Sequence, residues 1–364
     1  MRCFCKLAAV LLLSLAAVSA RAQLTIEITQ GIDNPTAIAV VPFAWQSGGT
    51  APEDIAGVVQ SDLSRSGQFA PVDRADMLGF PSTQQDVFYR DWRVLQTEYL
   101  LIGRVSVAGQ MRIEYELYDV NRQTLVESGT VTGSPNEARM LAHQVSDKVY
   151  QKLTGIPGAF ATRLLYVSVT RNPTGKDYYR LTLADSDGAR PIVLLESREP
   201  VLAPTWSPDG REIAYVSFET SRPAIYRQNL LTGAREQLTN FTGLNGAPAW
   251  SPDGQFLALT LSKDGNPDIF VMDLRRRSLR PLTRHWAIDT EPAWSPDGKY
   301  IVFTSDRGGS PQIYRVSING GEAERLTFEG SYNARASYSP DGHHMTMVTR
   351  LNGDYRIGAM DLQS

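Results

Sequence analysis

Few residues in this chain could do acid–base or metal chemistry. Four histidines are present: His143, His285, His343 and His344. His343 and His344 follow a hairpin turn, where successive side chains point to opposite faces, so they do not converge on one metal. His143 falls in a helical segment and is expected on its solvated face. Four aspartates recur, Asp209, Asp253, Asp297 and Asp341, each inside the same five-residue phrase. Aspartate in such a setting forms turns, not a catalytic set. No Gly-x-Ser-x-Gly nucleophile elbow occurs, so hydrolase chemistry has no nucleophile to rest on. The patterned residues build turns and strand edges, which is the chemistry of a surface that holds other molecules.

The phrase is Trp206-Ser207-Pro208-Asp209-Gly210, with further copies at Trp250–Gly254, Trp294–Gly298 and Tyr338–Gly342, always 44 residues apart. Pro has the φ that the second position of a type I turn needs, Ser and Asp bond the neighbouring backbone, and Gly takes the left-handed conformation. Each copy therefore joins two antiparallel strands, and the leading aromatic fills the space between sheets. Ile225-Tyr226, Ile269-Phe270, Ile313-Tyr314 and Ile357-Gly358 mark a third strand, and Leu238-Thr239, Leu282-Thr283 and Leu326-Thr327 a fourth. Four strands in such a period are one propeller blade. The pattern predicts one three-stranded blade beginning at Leu164, three full blades, and one blade lacking its last strand. An incomplete ring from a shortened reading frame is the expectation; a natural five-bladed ring with ragged ends is the alternative.

Arg2 and Lys6, the apolar Leu7–Val18 and the Ala20-Arg21-Ala22 cleavage pattern identify residues 1–22 as a signal peptide whose apolar run is too short to span a bilayer. Both cysteines, Cys3 and Cys5, lie in it, away from a cleavage site, which argues against a lipidated terminus. The mature chain then has no disulfide, as suits an exported protein large enough for a proper core. Losing Arg2, Lys6 and Arg21 moves the formal charge from −3 to −6. A mildly acidic surface favours neither nucleic acid nor insertion into anionic membranes. The basic run Arg275-Arg276-Arg277 with Arg280 reads as a solvated turn.

Residues 36–157 read as an α/β domain. Ile38–Phe43 is a buried strand, and Pro52-Glu53-Asp54 opens a helix through Leu63. Phe69–Val72 is a short strand and Val87–Leu95 a helix. Tyr99–Val107, Met111–Val120 and Thr124–Val131 form a meander, and Glu137–Leu153 is an amphipathic helix. Ile156-Pro157-Gly158 is a hinge before a propeller over 158–364. Ahead of the domain, the alternating Leu24, Ile26 and Ile28 within 23–35 suit either an edge strand or a detachable strand that pairs with a partner's sheet.

This order of segments resembles the TolB family, periplasmic components of the Tol-Pal system. The resemblance covers the mature chain and is carried by Pro42–Trp45 with Ala51–Ile55, Lys152–Ile156, Asn245–Ala249 and Ile318–Gly321, beside the repeated phrase. It implies a multidomain fold, an N-terminal α/β domain followed by a TolB-type β-propeller that is six-bladed in the family and incomplete here. It implies a non-enzymatic scaffold without cofactor or metal, serving outer-membrane integrity and constriction in cell division. The partners implied are the lipoprotein Pal, at the propeller mouth, and TolA, at the N-terminal strand, with other outer-membrane proteins as further candidates. Carried onto this chain, the Pal-binding positions are Asn245, Ala247, Thr290, Glu291 and Asn333. The TolA-binding positions are Gln23, Leu24, Thr25, Ile26, Glu27, Ile28 and Ile32. Leu244 stands where well-known members have His, so a polar contact is expected to be missing. From the residues alone, Asn245 and Asp289 read as turn formers and Glu291 as a solvated charge.

Two other functions fit a propeller. One is a sensor holding a small ligand in the central channel; the other is the propeller remnant of a serine peptidase, for which the chain leaves no room for a hydrolase domain.

Overall fold

The computed structural model describes residues 24–25, 34–173, 175, 177–351 and 353–363. The expected signal peptide with its cleavage site lies outside these residues, as do Gln23, Ile26, Glu27, Ile28 and Ile32. The chain divides into two compact units, one within 29–164 and 182–192, the other within 1–28, 165–181 and 193–364.

After β1 (Leu24–Thr25), the N-terminal unit runs β2 (Thr36–Val40), β3 (Ala44–Trp45), α1 (Ile55–Arg65), β4 (Phe69–Pro71), α2 (Tyr89–Val94), β5 (Tyr99–Ala108), β6 (Gln110–Asp119), β7 (Thr124–Gly133) and α3 (Ala138–Thr154). Its strands make one mixed sheet in the order β4-β2-β5-β6-β7, with β3 also beside β5. β2 is parallel to β4 and β5, while β5, β6 and β7 form the expected meander. Alternation sorts the central strands. Ile38, Val40, Leu101 and Val105 face a core shared with α1 and α3, and Ala39, Val41, Leu100 and Ile102 face one closed by Trp92 of α2. Asp54 caps α1 by accepting from the Gly57 amide (3.0 Å), and Gly155 ends α3 at φ 76°.

The rest of the chain is built of short sheets, which make up the second unit apart from residues 163–164 and 182–192 of the first sheet. β8 (Arg163–Thr170), β9 (Tyr178–Asp185) and β10 (Ile192–Ser197) make the first, in the order β10-β9-β8. Three four-stranded sheets follow: β11 (Val201–Trp206), β12 (Glu212–Ser217), β13 (Ala224–Asn229) and β14 (Arg235–Gln237); β15 (Asn245–Trp250), β16 (Phe256–Leu261), β17 (Asp268–Asp273) and β18 (Leu279–Pro281); and β19 (Asp289–Trp294), β20 (Tyr300–Ser305), β21 (Gln312–Ser317) and β22 (Glu324–Arg325). The fifth holds β23 (Tyr332–Tyr338), β24 (His344–Leu351) and β25 (Asp354–Asp361). These are five propeller blades.

The repeated turn is stapled the same way each time. Ser207 Oγ donates to Asp209 Oδ1 (2.7 Å) and accepts from the Glu212 amide (2.9 Å), and Gly210 sits at φ 67°. Ser251, Ser295 and Ser339 repeat the bonds. Trp250 enters a core with Ala214, Val216 and Ile225 of the preceding blade, and Trp294 Nε1 donates to the Ala249 carbonyl (3.0 Å). The aromatic thus fastens blade to blade.

Two expectations are revised. The fourth strands lie just before the Leu-Thr pairs. In each pair the Thr hydroxyl accepts from a third-strand amide, Thr283 from Ile269 at 3.0 Å and Thr327 from Ile313 at 3.0 Å. And the fourth place of the last blade is taken by β1, antiparallel to β25 with Leu24 opposite Met360 and Thr25 opposite Ala359.

Candidate functional site

Each complete blade begins its first strand with a left-handed residue that is not glycine. Ala203, Ala247, Glu291 and Arg335 stand at φ 47°, 46°, 55° and 54°, on the same 44-residue beat as the turn phrase. Each lies within a register shift of the strand against its neighbour, and a proline follows the first three. Proline offers no amide, which suits the unpaired slot of a bulge. A left-handed non-glycine residue costs about 1–2 kcal/mol, so four in step mark a shape that the fold enforces. The bulges sit near the ends where β11, β15, β19 and β23 begin, and neighbouring first strands pack on one another around this mouth.

The residues carried over by resemblance divide into two kinds here. Asn245 and Asn333 are fully buried loop staples. Asn245 Oδ1 accepts from the Phe241 amide (3.1 Å), and its Nδ2 donates to the Phe241 carbonyl (2.8 Å). Asn333 Nδ2 donates to Gln312 Oε1 (2.8 Å) and the Glu329 carbonyl (2.7 Å). Asp289 holds the same place in the blade between them, fully buried, both oxygens accepting from Arg307 Nη2 (2.9 and 2.8 Å). Ala247, Thr290 and Glu291 are half-buried at the bulges. Glu291 is not the free charge that its sequence setting suggests: Oε2 accepts from Thr304 Oγ1 (3.0 Å) and from the Arg335 amide of the next blade (3.1 Å). Burial, and then the Glu291 charge, push the Tyr332 hydroxyl above its ordinary range. Leu24 and Thr25 lie at the edge of the last blade.

A second polar constellation, absent from the expectations above, lies in the N-terminal unit. His143 is wholly buried, not solvated. Its Nδ1 lies 2.6 Å from Asp62 Oδ2, which also accepts from Ser146 Oγ (2.7 Å), and Asp62 Oδ1 accepts from Arg65 (2.9 Å). Ligand atoms of Asp62, His143 and Asp187 come within 4.8 Å of one another. The positive charge there is already supplied. Arg139 bonds Asp187 and lies 3.3 Å from Asp185, and Arg190 grips Asp185 with two bonds (2.8 and 3.0 Å). Although burial opposes it, the Ala189 amide and Arg139 hold the Asp187 carboxyl below its usual range. The cluster ties α1, α3 and the 182–192 hairpin together as structure. The small neighbours Ala142 and Ser146, both buried beside His143, were the legible hint of an inward polar stripe. Of the other histidines, His285 Nδ1 accepts from the Ala287 amide (3.1 Å), and His344 stands exposed at the start of β24.

No helix among the described residues is long and apolar enough to cross a membrane.

Comparison with known proteins places both units. The family model described as TolB beta propeller domain matches residues 150–364, and that described as TolB amino-terminal domain matches residues 24–126. The Tol-Pal system protein TolB of Pseudomonas fluorescens SBW25 is 47% identical over 239 residues, 65% of this chain and 55% of the relative. That of Marinomonas sp. MWYL1 is 50% identical over 232 residues, 63% and 54%. The chain spans about half the length of the curated relatives it matches. A crystal structure of TolB from Acinetobacter baumannii superposes with a TM-score of 0.81 at 43% identity, covering 94% of this chain and 84% of that one.

Proposed function

The chain belongs to the TolB family, and from that premise we propose that it is a non-enzymatic periplasmic scaffold of the Tol-Pal system. The propeller mouth binds Pal around Ala247, Thr290 and Glu291, with buried Asn245 and Asn333 shaping the loops. The leading segment Gln23–Ile32 binds TolA. Through these contacts the protein serves outer-membrane integrity and constriction in division. The observation that carries the reading is the left-handed bulge repeated at Ala203, Ala247, Glu291 and Arg335, which holds the mouth in one shape before a partner arrives.

The pairing of Leu24 and Thr25 with β25 supports a strand that either lies on its own propeller or is handed to a partner's sheet edge. Such an exchange needs only a few kcal/mol of differential binding. Deleting Gln23–Ile32 abolishes TolA binding and spares Pal binding; unchanged TolA affinity refutes the assignment. Replacing Thr290 and Glu291 together by bulky residues weakens Pal, and an unaltered dissociation constant removes them from the site.

A further inference from the structure

We propose that Trp286 is the anchoring contact of the mouth and that the surface it meets on Pal is an apolar pocket. This rests on the reading above, in which Pal docks at this end of the propeller.

Trp286 is 76% exposed, immediately before β19, which carries Thr290 and Glu291. An indole left in water on a mobile loop would mean little, but this loop is fixed on both sides of it. Asn266 Nδ2 donates to the His285 carbonyl (2.8 Å) and to the Ala287 carbonyl. The His285 amide donates to Asp268 (3.1 Å), the Ile288 amide to Asp306 (2.8 Å) and the Asp289 amide to the Pro267 carbonyl (2.9 Å). The His285 ring lies against the indole at 5.1 Å between centroids. Asp268 is itself buried, and that burial pushes its carboxyl above the usual range. The backbone on either side of Trp286 is therefore ordered in the free protein, so binding loses little entropy in placing it. An exposed tryptophan on an ordered backbone is among the side chains enriched at interface hot spots.

Two further apolar side chains are exposed at the same end of the propeller. Leu244 and Ile288 occupy the same place in adjacent blades and are 40% and 50% exposed. Leu244 is pinned as Ile288 is, its amide donating to Ser262 Oγ (2.7 Å). The charges flanking them are matched within the chain: Lys263 with Asp264 (2.9 Å), Arg307 with Asp289 (2.8 Å) and Arg335 with Glu291 (3.7 Å). Among the described residues, exposed Arg284 and Glu329 are the exceptions, while Asp268 and Asp306 accept from backbone amides. With most of this charge held by internal pairs and backbone amides, and with Arg284 and Glu329 opposite in sign, recognition falls to the indole and the two aliphatic side chains. That tells against a strongly acidic or basic partner face.

The test is calorimetry of the full chain with the soluble, unlipidated Pal domain. Trp286→Ala is expected to raise Kd about 30-fold or more, and Leu244→Ser with Ile288→Ser by less. Raising NaCl from about 0.05 to 0.5 M is expected to change the parent Kd less than about threefold. Thermal unfolding of Trp286→Ala should match the parent, since the indole is mostly exposed. If the parent binds Pal and Trp286→Ala binds within about twofold of it, this inference fails and the proposed function stands. A steep salt dependence overturns the apolar pocket. If the parent does not bind Pal at all, both fall.

Discussion

Glu291 allows the mouth's construction to be tested quantitatively. Two kinds of interaction hold it, one within its own blade and to the next and one only to the next, and they predict different mutants. One is the ion pair with Arg335, at 3.7 Å, whose guanidinium side chain is 70% exposed. An exposed pair of this kind is worth about 0–1 kcal/mol. The other is the pair of hydrogen bonds that the carboxylate accepts from Thr304 Oγ1 and the Arg335 amide. Thr304 is buried, so removing the acceptor strands its hydroxyl, and the amide keeps only its second bond to Thr304. Losing them should cost about 2 kcal/mol. The hydrogen bonds therefore outweigh the ion pair. Glu291→Ala is expected to destabilise the propeller by about 2 kcal/mol, and Glu291→Gln, which keeps a carbonyl acceptor, by about 0.5–1 kcal/mol. Arg335→Ala removes the charge but keeps the amide and should cost less than about 0.5 kcal/mol. Urea unfolding read by hydrogen exchange of propeller peptides keeps the transitions of the two units apart. An Arg335→Ala cost equal to that of Glu291→Ala would refute the reasoning.

In the N-terminal unit, Asp62→Ala leaves His143 Nδ1 without its partner and Ser146 Oγ with only the Ala142 carbonyl, and should cost about 3–5 kcal/mol, more than His143→Ala. A double-mutant cycle should show coupling above about 1 kcal/mol, and additivity would deny the pair. Phe303→Ala, at a wholly buried position between blades, should cost about 3–5 kcal/mol by the same unfolding measurement. Asp209, Asp297 and Asp341 are held below the ordinary carboxylate range, each first by its turn serine hydroxyl. Their folded values lie below the unfolded one, so the stability they add is present above about pH 3.8 and is lost as pH falls through the folded values. Replacing Ser207, Ser295 and Ser339 by Ala should flatten the fall of Tm in acid, and an unchanged acid limb would place the loss elsewhere.

The propeller was legible because its turn is written in side chains that bond their own backbone: serine, proline, aspartate and glycine in fixed order leave one turn geometry open. The meander and α3 were legible through apolar period. The bulges were written too, in Ala203-Pro204, Ala247-Pro248 and Glu291-Pro292, but a proline after a left-handed residue looks local until its period is counted. His143 was misread because a helix face is judged by its own residues, whereas what buries this one is Asp62 on α1 and the Asp185–Asp187 hairpin, distant in sequence. The ordered backbone on either side of Trp286 could not be read, since Asn266, Asp268 and Asp306 hold it from other strands and loops. The place of Leu24 and Thr25 depends on β25, which lies more than three hundred residues away along the chain.

The central claim is that a partner docks where the first strands begin, not at the opposite ends where the Ser-Pro-Asp-Gly turns lie. Hydrogen exchange of the full chain, with and without the soluble Pal domain, measures this directly. The account predicts new protection in peptides spanning 242–247, 284–291 and 330–335, with the turns at 207–210, 251–254 and 295–298 unchanged. Protection at those turns, with the mouth exchanging as in the free protein, would contradict it.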